Sequence, residues 1–170
     1  MKIKMNTKNI VAFLTAVIAV VAVFLCFLPF AKTTVTVPYV GTSVTEYKGF
    51  DVIFGNEDTP FSFSVGGLVI FVFMILVALM DLFKVVAKKK NRNGINCLVF
   101  LLSVVAAVLC FLSATRVVLN VTDNAWNTAF LGFSFGLKDY ISLGLGAIVD
   151  GILMIVTALG ALADVYVFKK

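Results

Sequence analysis

Histidine is missing from this chain altogether, tryptophan occurs once, and cysteine and proline occur three times each. Without histidine the commonest general base and the commonest metal ligand are gone. Cys26, Cys97 and Cys110 all fall inside apolar runs, and no C-x-x-C pair occurs, so neither a thiol zinc site nor a dithiol redox centre is encoded. The remaining bases are isolated carboxylates with no nucleophile spaced to use them. "LGLGAIVDG" contains glycines, but no phosphate-cradling loop follows a strand there. The chain reads as a non-enzyme with no cofactor and no metal.

Charge is the second scarcity. Only 14% of residues are charged, 61% are hydrophobic, and 17 are phenylalanine; mean hydropathy is +1.08. Soluble domains carry about 25% charged residues and about 45–50% apolar ones. No charge lies between Lys8 and Lys32, between Asp58 and Asp81, or between Arg92 and Arg116, and Asp150 alone interrupts the stretch from Asp139 to Asp164. A membrane-crossing helix needs roughly 20 mostly apolar residues. These windows predict an all-α membrane protein, a four-transmembrane-helix bundle in one domain. Its spans run over about 9–30, 62–84, 95–118 and 141–166, joined by outer loops at about 31–61 and 119–140 and an inner loop at about 85–94. The first span exceeds the core of a cleaved signal, and "FLPFAKT" after it has no A-x-A site.

The basic residues that remain are sorted by side. Lys2, Lys4 and Lys8 precede the first span, Lys84, Lys88, Lys89, Lys90 and Arg92 flank the inner loop, and Lys169 and Lys170 follow the fourth span. Such sorting predicts a multi-pass protein of the plasma membrane with both termini cytoplasmic. The formal charge of +5 is therefore a topology signal with some attraction to anionic lipid, and no nucleic-acid partner is expected. The lipid bilayer is the expected environment, with a membrane-protein partner or a second copy of the chain as a neighbour.

Small or polar residues recur at alternating three- and four-residue spacing. The first span has Ala12, Thr15, Ala19, Ala22 and Cys26; the second has Gly67, Phe71, Met74, Ala78 and Asp81. The third has Val99, Ser103, Ala106, Cys110, Ser113 and Val117, and the fourth Ala147, Asp150, Met154, Thr157, Ala161 and Asp164. Such stripes let helices approach closely in lipid and predict which face of each turns inward. The Asn-Gly pair at 93–94 predicts a turn between the second and third spans.

The first outer loop is β-rich. "TTVTVPYVGTSVTEY" reads as strand, turn, strand, with Pro38 confined to an edge or bulge. Phe50, Val52 and Phe54 then alternate as on a strand, as do Phe133, Phe135 and Leu137 in the second loop. The expectation is a small extracellular sheet built from the long loop, joined by a strand from the second. Tyr47, Phe50, Asp51, Phe54 and Trp126 form the candidate outer interaction surface, aromatics flanked by acid being plausible anchors. The same rings would equally serve as the filling of the little sheet or rest against lipid headgroups.

Asp150 has two readings. In the first, side chains lean toward the helix N-terminus, which brings Arg116 and Asp150 toward one depth and makes them an intramembrane polar pair holding two helices. In the second, Asp150, Thr157 and Asp164 recur every seven residues, about 10 Å apart, and line one polar face of the fourth helix as a proton or cation path. Asp164 would otherwise pair with Lys84 or Lys88, and Asp81 with Lys84 on the helix surface. Presentation of an outer surface to a protein or envelope partner leads; a small ion- or proton-coupled channel or transporter is the alternative. "NVT" at 120–122 matches a glycosylation acceptor that would be idle in a bacterium.

The order of these features resembles the claudin and peripheral-myelin class of tetraspan proteins in topology. Their W-x-x-G-L-W motif and paired cysteines have no counterpart in "VPYVGTSVTEYKGFDVIFG". "GFDVIFG" at Gly49 to Gly55 and the Gly/Ala-rich "LGLGAIVDGILMIVTALGALA" resemble the small four-span membrane proteins of low-GC Gram-positive bacteria. That resemblance implies a bacterial plasma membrane and no particular activity.

Overall fold

A computed structural model describes residues 7–37, 41–86, 89–115, 118–120, 127–130, 133–136 and 141–166. Helix α1 spans Thr7–Leu25, followed by strands β1 (Pro29–Val37) and β2 (Gly41–Lys48) and the short helix α2 (Gly49–Phe54). The long helices α3 (Val65–Val86) and α4 (Lys89–Phe111) come next. Strands β3 (Asn127–Phe130), β4 (Phe133–Gly136) and β5 (Ile141–Leu143) precede the last helix, α5 (Leu145–Tyr166).

Three helices are long and apolar enough to cross a membrane, over Val65–Lys84, Arg92–Phe111 and Leu145–Tyr166. The apolar part of α1, Asn9–Leu25, is shorter. The helix expected to reach about residue 30 stops at Leu25 because Pro29 lacks an amide hydrogen and biases the residue before it toward extended backbone. The chain turns through Cys26 and Phe27, whose amide donates to Phe24 O at 3.2 Å, and enters β1. Helix α4, expected over 95–118, runs earlier at both ends. Asn93 and Gly94 lie inside its first turns instead of forming the expected turn. Arg92 and Asn96 are buried there, and their bonds to other helices keep this polar stretch helical.

The four long helices close a ring in which α1 packs on α3 and α5, and α4 packs on α3 and α5. The inward stripes are as the spacing predicts. Ala12, Thr15, Ala19, Ala22 and Cys26 are buried, as are Val99, Ser103, Ala106, Cys110 and Ser113, and Ala147, Asp150, Met154, Thr157, Ala161 and Asp164. Phe71 is half-buried, and Val117 lies outside the described residues. Phe13, Phe24, Leu79, Phe83, Leu101 and Leu159 point outward. The interior is rich in small and polar groups, with Ile70, Met74, Val77 and Met154 filling it between them, while most large apolar side chains of the long helices face out, the arrangement that lipid favours and water does not.

One end of the ring carries a three-stranded antiparallel sheet in the order β2-β1-β5. Strand β5 pairs Ala31 with Leu143 and Thr33 with Ile141, so the neighbours α1 and α5 are extended by paired strands. At Gly144, where β5 becomes α5, a Cβ would lie 2.2 Å from Pro29 O; no side chain fits. Its amide donates to Phe30 O at 2.9 Å. The expected hairpin is β1–β2, and Pro38 lies outside the described residues. The strand from the second loop is Ile141–Leu143; Phe133 and Phe135 belong to a separate ribbon, β3–β4. The stretch expected to be a strand, Phe50 to Phe54, is instead α2. Gly49 N donates to Leu28 O at 3.1 Å, turning the chain back over the end of α1, where a helical turn packs Val52 and Ile53 inward.

Helix α3 starts under a built cap. Ser64 Oγ accepts from Gly67 N at 3.0 Å, satisfying an amide that has no helical partner, and donates to Val118 O. Asn120 Nδ2 donates to Phe63 O at 2.8 Å, so the chain leaving α4 is fastened to the chain entering α3.

Candidate functional site

Helix α5 carries three polar groups on the face it turns into the ring. Asp164, near its C-terminal end, is enclosed by donors. Arg92 Nε donates to its Oδ2 at 2.7 Å and Asn96 Nδ2 to the same oxygen at 2.8 Å. Arg92 Nη1 donates to Asn9 Oδ1 at 2.9 Å. One network thus ties α1, α4 and α5 at the end where the basic residues cluster. Asp164 was expected to meet Lys84 or Lys88; Arg92 takes it because its planar fork reaches two acceptors at once. Lys84 pairs with Asp81 within α3. That pair was expected on the helix surface, but both residues are buried, and Thr15 of α1 lies beside Asp81.

Asp150 is the opposite case. It has no exposed surface, and neither carboxyl oxygen has a hydrogen-bond partner among the described residues. The buried core includes Cys26 and Cys110, both within electrostatic reach of it, and Ala147 and Met154 one turn away on the same face of α5. Arg116, its expected partner, lies outside the described residues. Thr157, one tier further along, is buried and donates to Leu153 O at 2.9 Å within its own helix.

The sheet end holds the other candidate group. Phe50 stacks on Phe54 at 5.9 Å between centroids and meets Phe27 at 4.7 Å and Phe71 at 5.4 Å. Tyr47 meets Phe61 edge-on at 4.8 Å. These rings spend their faces on one another and on α3. Phe54 remains 46% exposed, Asp51 is half-buried, and Trp126 lies outside the described residues. Beside them β2 is exposed from Gly41 to Glu46, on both faces of the strand.

Sequence reasoning did not single out Arg92, Asn96 or Asn9. The signal was present, since Asn96 and Arg92 continue the stripe Val99, Ser103, Ala106 of α4 toward the N-terminus, but Arg92 was assigned to the inner loop and Asn96 to the edge of the span. Among the described residues no group of His, Cys, Asp and Glu is arranged to hold a metal ion. Comparison with protein-family models, curated sequences and solved structures finds no match.

Proposed function

We propose that the chain is a four-span protein of a bacterial plasma membrane, both termini cytoplasmic, whose outer sheet is a recognition surface for a protein or envelope partner. Three spans have full length. The fourth, α1, offers an apolar helix of 17 residues, Asn9–Leu25, about 25 Å at 1.5 Å per residue, a shortfall that local thinning of the bilayer accommodates. Lysine and arginine concentrate where α1 begins, where α3 meets α4 and beyond α5, which sets that end inside.

The observation that carries the recognition role is strand β2. It is exposed on both faces over Gly41–Glu46, while β1 and β5 behind it are fastened to the helices by Gly144. An exposed edge strand is a standing risk of unwanted pairing and a ready means of engaging an extended partner. The Phe50 cluster serves this role as a rigid base.

In vivo cross-linking from a photoreactive side chain at Glu46, on the same exposed strand as Val44, tests the reading. Val44→Arg is expected to abolish the cross-linked partner while membrane abundance stays within twofold of the parent. A parent chain that yields no adduct, or an arginine variant that keeps it, removes the recognition role. Labelling of a cysteine at position 89 from the medium would remove the topology.

A further inference from the structure

The register between α4 and α5 is set by two contacts: Asn96 bonds Asp164, and the Phe111 ring lies against Gly151. Between these points the antiparallel helices bring Cys110 to the level of Asp150 and Ser103 to the level of Thr157. Buried polar side chains therefore occur in tiers down one seam. Several of their atoms have no hydrogen-bond partner among the described residues: Ser113 Oγ, both oxygens of Asp150, Ser103 Oγ, Asn96 Oδ1 and Asp164 Oδ1. Every one of these residues is buried.

A seam needed only to hold two helices together would be cheaper with alanine at Ser103, Ser113 and Asp150, because a buried polar atom without a partner is costly. Ordered water, with two to four hydrogen bonds of its own, satisfies such atoms. A hydroxyl donates and accepts at once, and a carboxyl changes from acceptor to donor on taking a proton. These are the properties a proton relay requires, and intramembrane acids commonly mark such relays.

We propose that the α4–α5 seam is a proton file, with Asp150 as its central exchange site and Ser103, Thr157, Asn96 and Asp164 aligning water from there to the basic end. Ser113 stands at its sheet end. Asp150 and Asp164 are about 21 Å apart along the helix, so the path crosses most of the hydrocarbon thickness. The cargo is a proton and not a metal cation. A single carboxylate among thiols and a thioether supplies too few oxygens to replace a hydration shell. The charged and titratable groups facing the file are Cys26 beyond α1, Asp81 and Lys84 of α3, Arg92 and Cys110 of α4, and Asp164 of α5. This inference rests on the membrane topology above and is independent of the recognition role.

The test reconstitutes the full chain into phosphatidylcholine–phosphatidylglycerol vesicles loaded with a pH-sensitive dye, with a potassium gradient and valinomycin setting an inside-negative potential. The lumen is expected to acidify at least tenfold faster than in protein-free vesicles. Asp150→Asn should return the rate to that of protein-free vesicles, Asp150→Glu should keep at least a third of it, and replacing sodium by choline should change nothing. A parent rate equal to that of protein-free vesicles, an Asp150→Asn rate equal to the parent, or a rate that follows sodium overturns the file. Flotation on a density gradient separates the two failures: chain that floats with the vesicles and conducts nothing sinks the file alone, whereas chain that does not float sinks the topology with it.

Discussion

Asp164 and Asp150 share one helix, one face and nearly complete burial, yet their surroundings differ in kind. Asp164 has donors from Arg92 and Asn96 on a neighbouring helix. Asp150 sits among thiols, a methionine and an alanine, with no donor among the described residues. The first environment is made to hold a negative charge and fasten three helices. The second offers the carboxyl no hydrogen bond from any described residue. An acid kept where no described group donates to it is a functional candidate; one kept where it closes a network is a clamp.

The largest effects should separate the two acids by sign. Asp164→Leu leaves a guanidinium buried without its counter-ion and is expected to cost about 3–5 kcal/mol, whereas Asp150→Leu removes an unpartnered polar group and should stabilise by about 1–3 kcal/mol. Reversible unfolding in detergent micelles reads both; effects of the same sign would erase the distinction. At the sheet end, Phe50→Ala should destabilise by about 2–3 kcal/mol, below the value for a fully buried ring, and lower membrane abundance, because three other rings lean on it. Double-mutant cycles sharpen the comparison further. Arg92→Gln with Asp164→Asn should show a coupling of about 0.5–3 kcal/mol; in the cycle of Asp150→Asn with Arg116→Gln, coupling would place Arg116 on the Asp150 carboxylate as the sequence leads one to expect, and additivity would rule that pair out. The smallest effect belongs to Val44→Arg on exposed β2, which should leave stability within about 0.5 kcal/mol while losing the cross-linked partner.

Much of the helical architecture was legible. Three-and-four spacing identified the buried face of each long helix, because a side chain's position around a helix follows from its place in the chain. Where the reading erred, polarity or alternation was taken as local evidence for something that contacts decided. Asn93-Gly94 has turn chemistry but lies in a helix whose neighbouring residues, Arg92 and Asn96, are drawn inward by Asp164 and Asn9. Phe50, Val52 and Phe54 alternate like a strand, yet the bond from Gly49 to Leu28 commits the segment to a helical turn. Of the residues expected on the outer surface, Tyr47, Phe50 and Phe54 set their rings against other rings, a contact that spacing within one segment does not encode.

From the sequence alone came the scarcity of catalytic groups, the apolar runs, the inward stripes and the clustering of basic residues, all of them properties of composition and of spacing within one segment. Only the tertiary structure decided which buried acid has a partner, that Arg92 and not a lysine takes Asp164, and that Ser103 and Thr157 come to one level. Those outcomes depend on the register between helices far apart in the chain, and register is set by side chains such as Phe111 and Gly151 meeting across a seam, which no single segment encodes.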